Sequence, residues 1–178
     1  VTVLDTEAPI ITSDSLITAF AEPGECYALL SNVSLPLISD NCGIDSSFYI
    51  GPNKLGVGEN MVSVFVSDIH GNTRTREIIV DVVDNENPTV YAPDSLLIID
   101  AEPGQCYALT ANLEFPPMDD NCGIDSAFYS GAEQLEIGAN TINISVLDIH
   151  GNSTTQEVIV TVFDSQAPEA YPDSMMMV

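Results

Sequence analysis

Asp40–Asn41–Cys42–Gly43 and Asp120–Asn121–Cys122–Gly123 each set a carboxylate, a carboxamide and a thiol side by side, within the heptapeptide DNCGIDS that occurs twice, letter for letter. Two chemistries follow from those residue types. The oxygens suit a hard cation, which takes carboxylate and carbonyl ligands, and the thiols suit a disulfide or a soft metal. The same oxygen donors recur nearby in sequence: Asp5 and Glu7, then Asp68 and Asn72, in the first half, and Asp84 and Glu86, then Asp148 and Asn152, in the second. With Asp40, Asn41, Asp120 and Asn121 they form two sets of six oxygen-bearing side chains. Ligands of this kind from three separate loops predict calcium rather than zinc or copper. The competing reading is that Asp, Asn and Gly stand there as turn formers, because their side chains satisfy nearby backbone amides.

Cys26 and Cys42 are 16 positions apart, as are Cys106 and Cys122. An even count in two identical spacings predicts one disulfide within each repeat, Cys26 with Cys42 and Cys106 with Cys122, and hence an oxidising compartment. Zinc is the rival, but it favours closer cysteine pairs or nearby histidines. His70 and His150 occupy one repeated position and read as hairpin residues.

Charge narrows the partners. With 27 acidic residues against 3 basic ones the formal net charge is −24. Phosphate recognition needs clustered Lys and Arg, so nucleic acid is excluded as a partner, and an anionic membrane surface repels such a chain. No apolar run reaches the ~18 residues that crossing a bilayer requires, so membrane insertion is not expected. Serines, aspartates and histidines are present, but no nucleophile-elbow pattern accompanies them, and no enzymatic activity is expected.

The elements that must position these residues are repeated too. AEPGECYAL at Ala21–Leu29 meets AEPGQCYAL at Ala101–Leu109, and DIHGN at Asp68–Asn72 meets the same letters at Asp148–Asn152. VTVLDTEAP, VDVVDNENP and VTVFDSQAP end at Pro9, Pro88 and Pro168. The division expected is the end of a preceding repeat at 1–8, repeats at 9–87 and 88–167, and the start of a third at 168–178. Such a division predicts a piece of a longer array, in which neighbouring repeats of the same chain are the first partners.

Within a repeat, Val62, Val64 and Val66 alternate with Ser63, Phe65 and Ser67, as Ile142, Ile144 and Val146 do in the second; Ile78, Val80 and Val82 continue the pattern. Period two marks half-buried strands. Turn signals at Pro23-Gly24, Asn41–Gly43, Gly56–Gly58 and Gly71-Asn72 separate short segments, and no helical stripe is sustained. The pattern predicts an all-β protein of tandem immunoglobulin-like antiparallel β-sandwiches.

Taken together, the motifs resemble the hyalin repeat, or HYR domain, of extracellular adhesion and matrix proteins. The resemblance lies in the DTEAP entry at Asp5–Pro9, GxCxA at Gly24–Ala28 and Gly104–Ala108, and DNCG at Asp40–Gly43 and Asp120–Gly123. It continues with Val57-Gly58 and Ile137-Gly138 before the valine-rich strand, and with DxxGN. It implies an extracellular or cell-surface stalk or filament segment, such as occurs in bacterial adhesins. The alternative is a module that binds a glycan or protein; self-association into a fibre and a target at a distant tip are further expectations. The sequence departs from the family in one respect: a second cysteine pair is replaced by Ser13 with Arg76 and by Ala92 with Gln156. The entry strand is therefore expected to be tied less firmly to the last strand.

Overall fold

Three valines and their repeat equivalents place the core. Val62, Val64 and Val66 lie on the strand Gly58–Asp68, and Ile78, Val80 and Val82 on Thr73–Val83; all six are buried, as the period-two alternation predicts. The computed structural model describes residues 2–12, 16–91 and 97–169. Ser13, Ala92 and the opening of a third repeat beyond residue 169 lie outside the described residues. The chain folds as two compact units, Val1–Asn87 with Asp120–Gly123, and Pro88–Asp119 with Ile124–Val178.

The first unit contains β1 (Ile10–Thr12), β2 (Leu16–Phe20), β3 (Tyr27–Leu29), β4 (Leu37–Ser39), β5 (Ile44–Ile50), β6 (Lys54–Gly56), β7 (Gly58–Asp68) and β8 (Thr73–Val83). A four-stranded sheet runs β2-β8-β7-β5, with the short pairs β1-β4 and β3-β6 opposite it. Ile11 of β1, Ala28 of β3 and Leu55 of β6 close over the valines of β7 and β8, which makes the unit a β-sandwich of immunoglobulin-like type. Across β5 and β7, Phe48 pairs with Phe65, ring centroids 5.0 Å apart. Most pairings are antiparallel; β2 runs parallel to β8, Leu16 opposite Ile79 through Phe20 opposite Val83. A parallel edge needs a long crossover, and the chain between β2 and β8 supplies it by building the rest of the sandwich.

The second unit repeats the plan: β9 (Thr89–Val90), β10 (Leu97–Asp100), β11 (Tyr107–Leu109), β12 (Met118–Asp119), β13 (Ile124–Ser130), β14 (Gln134–Glu136), β15 (Gly138–Asp148) and β16 (Ser153–Phe163). Its four-stranded sheet is β10-β16-β15-β13, and Ile142, Ile144, Val146, Val160 and Val162 form the core with Ala108 and Leu135.

The entry segment is anchored without a second cysteine pair. Arg76 donates from Nη1 to the Ile11 carbonyl at 2.9 Å, which ties β1 to β8. In the second unit Thr154 Oγ1 donates to the Pro88 carbonyl at 2.6 Å.

The disulfide differs from expectation. It joins Cys26 to Cys122, 96 residues apart, and leaves Cys42 and Cys106 as exposed thiols. The bonds Cys26–Cys42 and Cys106–Cys122 are not formed. The physical reason is the placement of Asp120–Gly123 with the first unit. Asn121 donates to the Glu25 carbonyl at 3.0 Å and to Asp84 Oδ1 at 3.1 Å, and the Cα atoms of Cys26 and Cys122 come to 4.8 Å, within bridging range.

Candidate metal centre

Three local structures build the site in the first unit, and each is a consequence of its own sequence. In the β7–β8 hairpin, Asp68 accepts N–H bonds at Oδ1 from His70 (2.9 Å) and Asn72 (2.8 Å), and its Oδ2 accepts from Asn72 Nδ2 (2.7 Å). Gly71 takes φ 90°, a left-handed conformation that glycine adopts without a Cβ clash. Asp68 is thereby buried and saturated on one oxygen. In the turn after β4, Asp40 Oδ1 accepts from the Cys42 and Gly43 amides at 2.9 and 3.2 Å. In the entry segment, Asp5 Oδ1 accepts from the Glu7 amide at 3.1 Å.

The three pieces are then stitched together. Asn41 Nδ2 donates to Asp5 Oδ1 at 3.3 Å, Asn72 Nδ2 lies 3.4 Å from the Asp5 carbonyl, and the Ile69 amide donates to the Gly43 carbonyl at 3.2 Å. As a result, carboxylate oxygens of Asp5, Asp40 and Asp68 all lie within 4.8 Å of one another. Asn41 and Asn72 brace this cluster as donors.

The division of labour within each carboxylate is informative. Turn formation occupies Oδ1 of Asp5 and of Asp40, whereas Oδ2 of each is buried and has no hydrogen-bond partner. A buried carboxylate oxygen without a donor is costly, so two of them on residues of one carboxylate cluster fit a cation. His70 Nδ1 lies 3.4 Å from Asp5 Oδ2 and pairs with it only as the imidazolium. Turn-former and cation-ligand readings thus apply to different atoms of the same residues.

Local bonds favour the ionised form of Asp5 and of Asp68. The Glu7 amide bond holds the Asp5 carboxyl below its usual range; burial opposes this, and Asn41, Cys42 and His70 reinforce it. For Asp68 burial pushes upward, but the bonds from the Asn72 side chain, the Asn72 amide and the His70 amide outweigh it, and the net shift is downward. The Cys42 thiol is pushed up, first by the neighbouring Asp5 carboxylate, then by burial and the charges of Asp5, Asp40 and Asp68.

Glu7 is exposed and supplies the cluster only with its amide. Glu86 is engaged elsewhere: its Oε2 accepts the Gly24 amide at 2.7 Å. Gln166 Oε1 does the same for the Gly104 amide at 2.9 Å, so this position requires an acceptor and no charge. Asp84, Asp120 and Asn121 also belong to the first unit, where Asp120 Oδ2 accepts from the Cys122 and Gly123 amides, both at 2.9 Å. Asp148 and Asn152 belong to the second unit; Asp148 Oδ1 accepts from His150 and Asn152 amides, each at 2.8 Å, and Oδ2 from Asn152 Nδ2 at 2.7 Å.

Sequence reasoning passed over one further feature. Phe115 stacks on Tyr129, centroids 5.0 Å apart and planes within 10°, beside an open cleft of the second unit; the first repeat has Leu35 in place of Phe115. That substitution is the signal by which it was visible.

No family profile matches the chain, and no curated protein does. Among solved structures it is similar to extracellular cadherin domains 1–4 of protocadherin gamma B7, at 14% identity and a TM-score of 0.39, over 89% of this chain and 51% of that one. It is likewise similar to the human desmocollin-1 ectodomain (14%, TM-score 0.29, 95% of this chain and 39% of that one). A third is SGBP-B of a Bacteroides ovatus mixed-linkage glucan utilization locus (12%, TM-score 0.27, 88% and 48%), solved with a heptasaccharide. The chain spans about half the length of the first of these or less of the others. Among the described residues no helix is long and apolar enough to cross a membrane.

Proposed function

We propose that this chain is a structural and adhesive segment of an extracellular or cell-surface repeat protein of hyalin-repeat type, and that calcium stiffens it. The observation that carries the reading is the meeting of Asp5, Asp40 and Asp68 with two buried, unpartnered carboxylate oxygens. Bound there, the ion neutralises like charges and holds the entry segment against the turn and the hairpin, which is the place where one repeat hands over to the next. The second repeat carries the equivalent residues Asp84, Asp120 and Asp148. A disulfide agrees with an oxidising location, and the role is mechanical rather than catalytic.

The test is thermal unfolding of the intact chain in calcium and in chelator at constant ionic strength. A Tm that rises with free calcium supports the reading, and Asp5→Asn with Asp40→Asn, which keep an acceptor at Oδ1, should remove the first site's share of the rise. Identical melting curves would sink it.

A second reading has one observation in its favour. The stacked pair Phe115 and Tyr129 beside an open cleft gives the second unit an aromatic platform of the kind that receives a sugar face. Oligosaccharide titration followed by tryptophan-free aromatic NMR or calorimetry, with Phe115→Leu as control, tests it; no saturable heat or shift removes it.

A further inference from the structure

The bond between Cys26 and Cys122 joins two motifs that each occur twice, and the two copies left over are Cys106 and Cys42. Each leftover copy already has the local geometry of its bonded counterpart. Around Cys106, the Glu102 amide donates to the Tyr107 carbonyl at 2.8 Å and Gln105 to Glu102 at 2.9 Å; the Cys26 turn has the same two bonds at 2.8 and 2.9 Å. Gly104 has φ 75° where Gly24 has 74°. The segment that follows the last strand is seated on both turns in the same way, Glu86 on Gly24 and Gln166 on Gly104.

Cys42 is equally prepared. Asp40 caps the Cys42 and Gly43 amides as Asp120 caps those of Cys122 and Gly123. Asn41 Nδ2 lies 3.5 Å from the Cys42 sulfur and donates to Asp5, as Asn121 Nδ2 lies 3.6 Å from Cys122 and donates to Asp84. Gly43 and Gly123 have φ 116° and 115°.

We propose that the disulfides of this protein are staggered by one repeat. The GxC cysteine of each repeat bonds the DNCG cysteine of the repeat that follows it in the same polypeptide, so Cys106 and Cys42 are attachment points for a following and a preceding repeat. The chain of repeats is then covalently braced at every junction. This inference rests on the tandem-array part of the proposed function and is independent of calcium.

The chemistry balances with a small-molecule disulfide as oxidant. The thiolate of one cysteine attacks it and releases one thiol, and the second cysteine attacks the mixed disulfide and releases the other. Two protein thiols become one S–S bond while one small disulfide becomes two thiols.

The experiment lengthens the chain by one repeat and counts thiols. Residues 1–167 followed by residues 88–178 contain a second copy of Cys106 and of Cys122. After refolding with glutathione disulfide, the lengthened chain is expected to keep two free thiols, as the original does at Cys42 and Cys106. Peptide mapping should find the first Cys106 bonded to the second Cys122. Four free thiols, or bonds within repeats that leave none, overturn the proposal. If the added repeat does not melt cooperatively, residues 1–87 followed by residues 9–178 provide the second variant, in which the first Cys26 should bond the second Cys42. The calcium melting experiment can fail while these bonds form, and the reverse, so the two readings are separable.

Discussion

Asn72 grips Asp68 twice, with its amide 2.8 Å from Oδ1 and its carboxamide 2.7 Å from Oδ2, and this one pair closes the hairpin that carries the buried end of the candidate metal centre. Asp148 and Asn152 repeat the arrangement at the same distances. Removing either carboxylate strands two backbone N–H groups at a partly buried corner. Asp68→Ala and Asp148→Ala are each expected to lower Tm by roughly 5–15 °C, and Asn at either position by less, since it keeps one acceptor. Thermal unfolding in chelator separates this effect from any loss of a bound ion.

The pH dependence follows from the same bonds. Asp5, Asp68 and Asp148 have carboxyl groups held below their usual range in the folded protein. A group whose folded pKa is depressed stabilises fully above its unfolded value, near about 4, and that contribution is lost as pH falls through the folded value. Urea midpoints in chelator should therefore be flat from pH 7 down to about 5 and fall steeply below about 4. Combining Asp68→Asn with Asp148→Asn should flatten the acid limb.

Glu86 tests whether the linker position is a clamp or a ligand. Glu86→Gln should leave both stability and calcium response unchanged, because Gln166 makes the equivalent bond to Gly104. Glu86→Ala should cost about 0.5–1.5 kcal/mol, read from urea denaturation. A calcium response weakened by Glu86→Gln would instead make the carboxylate a ligand.

Leu55 and Leu135 are fully buried on short strands facing the two long sheets. Truncation to Ala leaves a cavity that stiff valines on the facing strands cannot refill. Each substitution is expected to cost about 2–5 kcal/mol in its own unit, measured by urea denaturation and assigned to the unit by hydrogen exchange.

Much of this protein was legible in its letters. Alternation of Val62, Val64 and Val66 with Ser63, Phe65 and Ser67 decides which face is buried, because successive side chains on a strand point to opposite sides. The turn residues were legible too, since Asp and Asn bond local amides wherever the chain reverses, and a repeat of 80 residues copies both signals into the second unit. Tertiary structure alone decided the rest. Period two says nothing of strand direction, so the parallel pairing of β2 with β8 is set by how the sandwich closes. Repetition also made Cys42 and Cys122 identical in sequence context, and only spatial approach, 4.8 Å between Cα atoms, selects Cys122 as the partner of Cys26. The same holds for the carboxylates: composition places them on turns, but that the Oδ2 atoms of Asp5 and Asp40 are buried without a donor, beside Asp68, depends on three distant segments meeting at one corner.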